Sequence, residues 1–324
     1  MLFKPAKFGA VVGATLLSAA AWLPAHAQEK SVAVLAIVEH PALDSVRDGV
    51  RDELAEAGFE VGKNLRWQYQ SAQGNVGTAA QIARSFVGSN PDVIVGIATP
   101  TSQAVAAATK SVPLVYSAVT DPVVAKLVPS FDASGTNITG VSDELALEEQ
   151  IALIKRILPN AKRVGMVYNP GEANSAVVVQ RMKELLPAHG MTLVEAAAPR
   201  TVDVSSAAAR LAGNVDVIYT STDNNVVSAY EALVKVGNDT DTPLIAADTD
   251  SVKRGAIAAL GLNYYDIGRQ TGKIVTRILN GEKPGDIPSQ RSDNLDLFVN
   301  LKAAEAQGVT VPQAVIEAAT EVIR

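Results

Sequence analysis

Two successive sets of alternating strand and helix patterns constrain this chain more than any other feature of its sequence. In the first set, β-branched runs and Ala-rich helical runs alternate at residues 31–38, 41–58, 64–70, 78–89, 93–97, 101–109, 114–118 and 138–141. Strands separated by helices form βαβ units, whose right-handed crossovers place helices on both faces of a parallel sheet. The pattern therefore predicts a parallel α/β lobe.

The second set begins with a helical run at residues 147–158. It continues through residues 163–167, 174–189, 192–197, 205–212, 215–219, 226–237, 244–247, 256–260 and 267–279. Two sets of about four units fit two similar lobes better than one very wide sheet. Because no Pro/Gly/Ser-rich linker follows Gly140, we expect strand-like crossings between the lobes. The predicted fold class is α/β, with two doubly wound parallel-sheet lobes.

The N-terminus predicts export from the cytoplasm. Lys4 and Lys7 precede an apolar run over residues 8–23, and Ala25 and Ala27 stand before Gln28. This is the layout of a cleaved secretory signal over residues 1–27. The apolar run of 16 residues is shorter than the ~20 residues that span a bilayer, which favours a cleaved signal. The alternative is an uncleaved membrane anchor.

The composition narrows the classes of function. The chain has no cysteine, which excludes disulfides, thiol catalysis, Cys-ligated zinc and a lipid anchor on a cysteine. The 297 residues after the signal suit two domains of ~100–150 residues. They carry 26 basic and 34 acidic side chains, which argues against nucleic acid and anionic membranes as partners. We expect a soluble, unanchored periplasmic protein.

The turns that follow the predicted strands hold the candidate binding residues, because ligands of open parallel sheets meet the carboxyl ends of the strands. Six such turns are dense in hydroxyl, amide and carboxylate groups and contain one His and no Lys or Arg. The candidates are Glu39, Thr99, Thr101, Ser102, Thr120, Asp121, Asn169, Asn174, Ser175, Thr222, Asp223 and Asp248.

These residue types favour a small zwitterion as the ligand. Thr99, Thr101 and Ser102 lie where a helix begins, and free backbone N–H groups and hydroxyls there suit a carboxylate. Asp223 and Asp248 follow strands of the second set and suit an ammonium group. Helix capping is the alternative for any single residue. Capping alone explains less well why polar groups follow six successive strands.

Catalytic interpretations find few partners in the sequence. After the signal, only His40 and His189 could act as imidazole bases, and no Gly-x-Ser-x-Gly elbow accompanies them. The chain has neither a Gly-x-Gly-x-x-Gly fingerprint nor a P-loop, and Asp248-x-Asp250 lacks the rest of a calcium loop. We predict a protein that is not an enzyme and uses no cofactor or metal, with a secreted hydrolase as a less favoured alternative.

Motifs at these turns, taken in order, carry a family resemblance over essentially the whole mature chain. They are residues 40–44, 73–75, 98–103, 119–122, 136–140 and 261–270, together with Asn169, Pro170, Glu172, Asn174 and Ser175. In order and spacing, the sequence resembles the bacterial ABC-transporter substrate-binding proteins described as tryptophan/tyrosine-type.

The resemblance implies a type I periplasmic binding fold, with two lobes joined by three crossings. Lobe 1 would comprise residues 28–140 and 263–292, and lobe 2 residues 141–262 and 293–324. Such a protein would capture an amino acid, with an aromatic side chain as one option. It would act as a monomer and deliver the solute to an ABC permease with its cytoplasmic ATPase. A periplasmic sensor for a membrane receptor is the alternative.

The resemblance also implies roles for single residues. In the related branched-chain amino-acid binding proteins, the α-carboxylate is held at positions similar to Ser102 (or Thr101) and Thr120. The α-amine is held at positions similar to Thr222 or Asp223, and Asp248. Glu39, Asn174 and Ser175 are further candidates for contact with the ligand.

Overall fold

The computed structural model describes residues 1–2, 4, 29–292 and 294–324. The predicted signal at residues 1–27 therefore lies outside the described residues, apart from residues 1, 2 and 4, and stays a prediction. Of the helices that are described, none is long and apolar enough to cross a membrane.

The described helices and strands alternate through most of the chain. The first part holds β1 (Lys30–Ala36), α1 (Pro41–Glu56), β2 (Leu65–Ser71), α2 (Val76–Gly88), β3 (Val93–Ile97), α3 (Thr99–Ala108), β4 (Leu114–Ser117) and β5 (Ile138–Ser142). The middle holds α4 (Leu147–Ile157), β6 (Arg163–Tyr168), α5 (Ala173–Leu185), β7 (Thr192–Ala197), α6 (Val204–Leu211), β8 (Val217–Thr220), α7 (Asn224–Ser228), α8 (Tyr230–Asp239), β9 (Leu244–Asp248), α9 (Thr249–Lys253) and β10 (Ala258–Leu262). The last part holds α10 (Tyr264–Leu279), β11 (Gln290–Arg291), β12 (Leu295–Asn300), α11 (Leu301–Ala306), α12 (Gln313–Glu317) and β13 (Glu321–Ile323).

These strands form two separate sheets. The first has the order β11-β5-β4-β3-β1-β2, and every pair in it is parallel. The second has the order β13-β12-β10-β9-β8-β6-β7. The chain passes between the sheets after β5, after β10 and after β11, which gives the three crossings expected from the sequence. The prediction of an α/β fold with two parallel-dominated sheets is confirmed.

Both sheets are covered on both faces, as doubly wound sheets require. Along β1, Val32 and Val34 belong to one apolar cluster, while Ala33 and Leu35 belong to another on the opposite face. In the second sheet, Tyr219 and Ile218 divide between two clusters in the same way. The near-continuous apolar strands of the sequence therefore reflect burial on two sides.

One strand departs from the parallel pattern. β12 runs antiparallel to β10, its neighbour in the second sheet. The chain leaves the second sheet at the carboxyl end of β10 and returns to the sheet at that same end. β12 must therefore run in the direction opposite to β10. The sequence pattern did not predict this strand, nor β11, β13, α11 or α12.

Two helix boundaries also differ from the sequence predictions. The helix expected at residues 226–237 is two helices, because Ala229, with φ −105° and ψ 28°, interrupts it between α7 and α8. The helix expected to begin at residue 267 begins at Tyr264, where the Asn263 side chain accepts hydrogen bonds from the backbone N–H of Tyr265 and Asp266. An Asn at this position is a strong N-cap signal.

The return crossing is fixed to the first sheet by the close approach of α10 to α1. A Cβ added at Gly268 would lie 2.3 Å from the carbonyl oxygen of Val46, and one at Gly49 would lie 2.3 Å from that of Tyr265. Real Cβ atoms do not come this close to backbone oxygens, so only glycine allows the helices to pack at this distance.

We expect Gly268→Ala to lower the free energy of unfolding by about 1–3 kcal/mol, because the overpacked helices must separate. Gly88→Ala is the matched control, since an added Cβ there meets nothing within 4 Å and Ala favours the helix. Urea unfolding of both variants measures the difference. Equal stability of the two variants would contradict the close-packing interpretation.

Candidate functional site

The carboxyl ends of the two sheets face each other across a cleft that residues from both halves of the chain line. Turns that follow β1, β3 and β4 supply His40, Ala42, Leu43, Ala98, Thr99, Ala118 and Thr120. The first crossing, the second sheet and α10 supply Asp143, Asn174, Thr222, Asn224, Val227, Asp248 and Tyr264. The cleft is therefore built by both halves of the molecule.

Two buried carboxyl groups, Asp143 and Asp248, form the acidic part of the cleft, and each is 2% exposed. Asp143 Oδ2 accepts a hydrogen bond of 2.7 Å from the Tyr264 hydroxyl, while its Oδ1 has no partner within the described part of the chain. Asp248 accepts hydrogen bonds from the backbone N–H and the hydroxyl of Ser251 at 2.8 and 2.6 Å. Burial raises the pKa of both carboxyl groups above the usual value. A cationic group in the cleft would offset this desolvation.

The start of α3, another part of the cleft wall, offers hydrogen-bond donors. Among the described residues, no side chain caps the start of α3. The Thr99 hydroxyl is buried there and has no partner in the described structure. The first turn of a helix leaves backbone N–H groups free and carries the positive end of the helix dipole. This wall suits a carboxylate.

The backbone at this wall is unusual. Ala98 and Ala118, which follow β3 and β4, have φ of +78° and +53°. Residues other than glycine rarely take such values, and the strain is retained where it serves a site. Both of these small residues line the cleft.

His40 is a neutral link between the two halves of the cleft. Its Nδ1 accepts a hydrogen bond from the Leu43 N–H and so caps α1. Burial, with a smaller contribution from Arg254, lowers the pKa of His40 to about 3. A hydrogen bond with the Asn224 side chain acts in the opposite direction and raises this pKa. An imidazole whose Nδ1 caps a helix and whose ring bonds an amide is poorly placed to act as a general base.

Direct contacts also join the two sides of the cleft at its rim. The hydroxyls of Thr120 and Thr222 are 3.3 Å apart. Arg181 of α5 donates to Asp121, which follows β4, at 2.6 Å, and to Glu144 at 3.1 Å. These contacts hold the cleft in a closed arrangement.

Five of the twelve residues singled out in the sequence line the cleft. They are Thr99, Thr120, Asn174, Thr222 and Asp248. Their contact with a ligand stays a prediction. Within the described residues, no group of three or more His, Asp or Glu side chains is placed to share a metal ion.

The other seven lie around the cleft and are occupied by other partners. The Thr101 hydroxyl donates to the carbonyl of Ile97, and that of Ser102 to the carbonyls of Gly96 and Ala98. Their hydroxyls therefore turn back toward their own chain.

Behind the second-sheet wall, Asp223 holds two other predicted residues in place. It accepts hydrogen bonds of 2.6 Å from both the Asn169 N–H and the Ser175 hydroxyl. Asp121 pairs with Arg181, and Glu39 lies at an exposed position 3.4 Å from the Tyr69 hydroxyl. These residues support the cleft or its rim.

The sequence reasoning missed Asp143, Asn224 and Tyr264. Asp143 directly follows β5, the strand that the sequence predicts as a crossing between the lobes. Asn224 belongs to one of the six polar turns, next to the candidates Thr222 and Asp223. Tyr264 stands in the motif over residues 261–270, so each of the three left a signal in the sequence.

A family model described as "ABC transporter substrate binding protein" matches residues 31–323. Among curated proteins, a tyrosine-binding protein from Clostridioides difficile (strain R20291) is 35% identical over 283 residues. This match covers 86% of this chain and 82% of that protein.

Two solved structures are similar to different degrees. An ABC domain from Streptococcus pneumoniae in complex with L-Trp has a TM-score of 0.88 at 32% identity, covering 91% of this chain and 100% of that one. A ligand-free, open substrate-binding protein with adhesive properties from Clostridium difficile has a TM-score of 0.68 at 37% identity, covering 91% and 99%. Despite its lower identity, the L-Trp complex is the closer match in shape, in agreement with the contacts across the cleft.

Proposed function

The chain belongs to the ABC transporter substrate-binding protein family, and we propose that it captures an aromatic L-amino acid in the cleft between its sheets. Proteins of this family bind solutes outside the cytoplasm and are not known as enzymes. We extend that shared role to one chemical class of ligand, the aromatic amino acids. The groups that line the cleft and the ligands of the relatives support this choice.

The combination of an acidic part and a donor-rich part in one cleft carries the proposal. The buried carboxyl groups of Asp143 and Asp248 would hold the α-ammonium group. The α-carboxylate would lie at the start of α3, near the Thr99 hydroxyl. Leu43 and Val227 supply apolar surface for the side chain of the ligand. The tyrosine-binding relative and the relative solved with L-Trp support an aromatic side chain.

The lobe boundaries and the cell compartment are part of the same proposal. Lobe 1 would be residues 28–140 with 263–292, which fits the place of β11 in the first sheet. Lobe 2 would be residues 141–262 with 293–324, which fits β12 and β13 in the second sheet, although β5 keeps residues 141 and 142 in the first sheet. The protein would be an unanchored monomer of the periplasm, released from a signal at residues 1–27. It would hand its solute to a permease with a cytoplasmic ATPase.

Calorimetry with a panel of ligands tests the proposal. L-Trp, L-Tyr and L-Phe should bind, whereas tryptamine and 3-indolepropionic acid should each bind at least about tenfold more weakly, because each lacks one charged group. A bound ligand should also raise the melting temperature by mass action. The proposal fails if the folded protein shows neither heat nor a thermal shift with any amino acid.

Arg181→Ala tests the closed arrangement of the lobes. Loss of the Arg181–Asp121 pair should weaken ligand binding about two- to fivefold, and less in high salt, because the pair is partly exposed and screened. Arg277→Ala removes a comparable pair, Arg277–Glu282, that lies at one end of α10 and does not bridge the cleft. Calorimetry at low and high salt compares the variants. Equal losses of ligand affinity in the two variants would show that the Arg181–Asp121 pair has no specific role in binding.

A further inference from the structure

Glu172 stands at the start of α5, behind the second-sheet wall of the cleft, and is 5% exposed. Its carboxylate accepts hydrogen bonds from the side-chain amide groups of Asn169, Asn174 and Asn224 at 3.3, 3.2 and 2.6 Å. The backbone N–H of Asn224 lies 3.4 Å from the same carboxylate. Glu172 does not line the cleft, but Asn174 and Asn224 do.

This arrangement determines which end of the Asn174 amide faces the cleft. A side-chain amide has a donor NH2 end and an acceptor oxygen. The Asn174 NH2 group is directed to Glu172 and, at 3.3 Å, to the carbonyl oxygen of Thr222. The reverse orientation would set the amide oxygen against two acceptors. The Asn174 Oδ1 atom is buried and has no partner in the part of the chain that is described.

We propose that Glu172 is a positioning residue that holds the Asn174 oxygen toward the cleft as a further acceptor for the ligand ammonium group. The inference rests on the proposed function, because it assigns a role in recognition of the same ligand. It also applies to Asn224, whose NH2 group is held by Glu172 while its side chain bonds His40 of the other half of the cleft.

The protonation state of Glu172 controls this role. An ionised carboxylate is an acceptor only, so it can hold the NH2 groups, whereas a protonated one carries a donor that allows Asn174 to turn. Burial, with the nearby carboxyl group of Asp223, raises the pKa of Glu172 to about 7. Ligand affinity should therefore rise as the pH rises through about 7.

Within the described structure, no cationic side chain is paired with Glu172. Asp223, at the start of α7, is buried, and its pKa is raised by the same burial. His40 is neutral, as described above, and Tyr168 at the end of β6 bonds Glu195. Arg181, on the same helix as Glu172, is paired with Asp121 and Glu144. The amides of the three asparagines are the groups that stabilise the Glu172 anion.

Stability should change in the opposite direction to affinity. A carboxyl group whose pKa is raised by folding contributes stability below its unfolded pKa, and that stability is lost as the pH rises through the folded value. The ligand-free protein should therefore lose stability between about pH 5 and 7, where affinity begins to rise.

Glu172→Gln separates this role from a purely structural one. At about pH 8 the variant should bind L-Trp or L-Tyr about tenfold more weakly than the wild type. Some affinity remains because Asp143 and Asp248 still hold the ammonium group. The variant should also lose the pH dependence of binding. The ligand-free variant should be at least as stable as the wild type at that pH, because a buried charge is removed. Glu184→Gln, an exposed change on the same helix, should leave both properties unaltered.

A double-mutant cycle with Asn174→Ala completes the test. If Glu172 acts through Asn174, then Glu172→Gln should weaken binding much less in the Asn174→Ala background. Additive losses, or a lower stability of Glu172→Gln at about pH 8, would show that Glu172 acts only in folding. Wild-type affinity that does not change between about pH 6 and 8 would overturn the inference while leaving the proposed function intact.

A measurement without ligand keeps the two proposals distinct. The side-chain amide resonances of Asn174 and Asn224 should shift with pH near 7 in the ligand-free wild type and not in Glu172→Gln. If they do not titrate, the inference fails whatever the protein binds. If they titrate but no amino acid binds at any pH, the proposed function fails, and with it the role of Glu172 in recognition.

Discussion

Asp248→Asn is expected to weaken binding of an aromatic amino acid by more than tenfold. A hydrogen bond between the ligand ammonium and a buried carboxylate is worth about 1.5–3 kcal/mol, and 1.4 kcal/mol corresponds to a factor of ten. Asn is chosen because Asp248 also caps α9 through the Ser251 N–H, and Asn is an equally good cap. Isothermal calorimetry at neutral pH measures the loss.

Asp216→Asn is the matched control for this variant. Asp216 also accepts hydrogen bonds from backbone N–H groups, those of Lys162 and Arg163 at 2.8 Å, but it does not line the cleft. Its affinity for the ligand should equal that of the wild type. If Asp248→Asn binds as tightly as Asp216→Asn, then Asp248 does not contact the ammonium group, and Asp143 becomes the remaining candidate.

Thr99→Val should produce the second large loss of ligand affinity, about tenfold, because it replaces a buried, unpartnered hydroxyl of a cleft residue with a methyl group of similar shape. A hydrogen bond to a charged carboxylate is worth about 1.5–3 kcal/mol. The loss should be much smaller for the amide of the same amino acid, since that ligand lacks the charged acceptor. Calorimetry with L-tryptophan and L-tryptophanamide gives the comparison.

Thr99→Ser keeps the hydroxyl and is the control for loss of shape. It should retain most of the affinity, whereas Thr99→Val should not. Equal losses of the acid and the amide in Thr99→Val would mean that the hydroxyl contacts another part of the ligand. In that case the backbone N–H groups of the first turn of α3 would bind the carboxylate without it.

Much of the fold could be predicted because the relevant forces act locally along the chain. Strand β3 has the bounds that the sequence predicted, since buried apolar runs form strands wherever helices cover both faces of a sheet. β12 could not be placed in the same way. Its antiparallel direction follows from the edge at which the chain returns to the second sheet, which is a property of the whole topology.

The same distinction, between local signals and whole-chain topology, applies to the residues of the candidate site. Thr99 and Asp248 could be singled out because each follows a predicted strand, and the ends of parallel strands meet at one edge. The sequence could not distinguish Thr99 from Thr101 and Ser102, which share its helix start. In the structure the hydroxyls of Thr101 and Ser102 donate to nearby backbone carbonyls, while Thr99 lines the cleft and its hydroxyl has no partner among the described residues.

By itself, the sequence determined the class of the fold, the two lobes and the polar character of the strand ends. Only the tertiary structure decided which polar groups meet. Asp143 and Asp248 are 105 residues apart, yet they line one cleft, and Glu172 holds amides that come from α5 and α7. The physical reason is that periodicity records burial at each position, whereas the direction of a hydroxyl or an amide depends on the groups that the opposite lobe and the next helix bring to it.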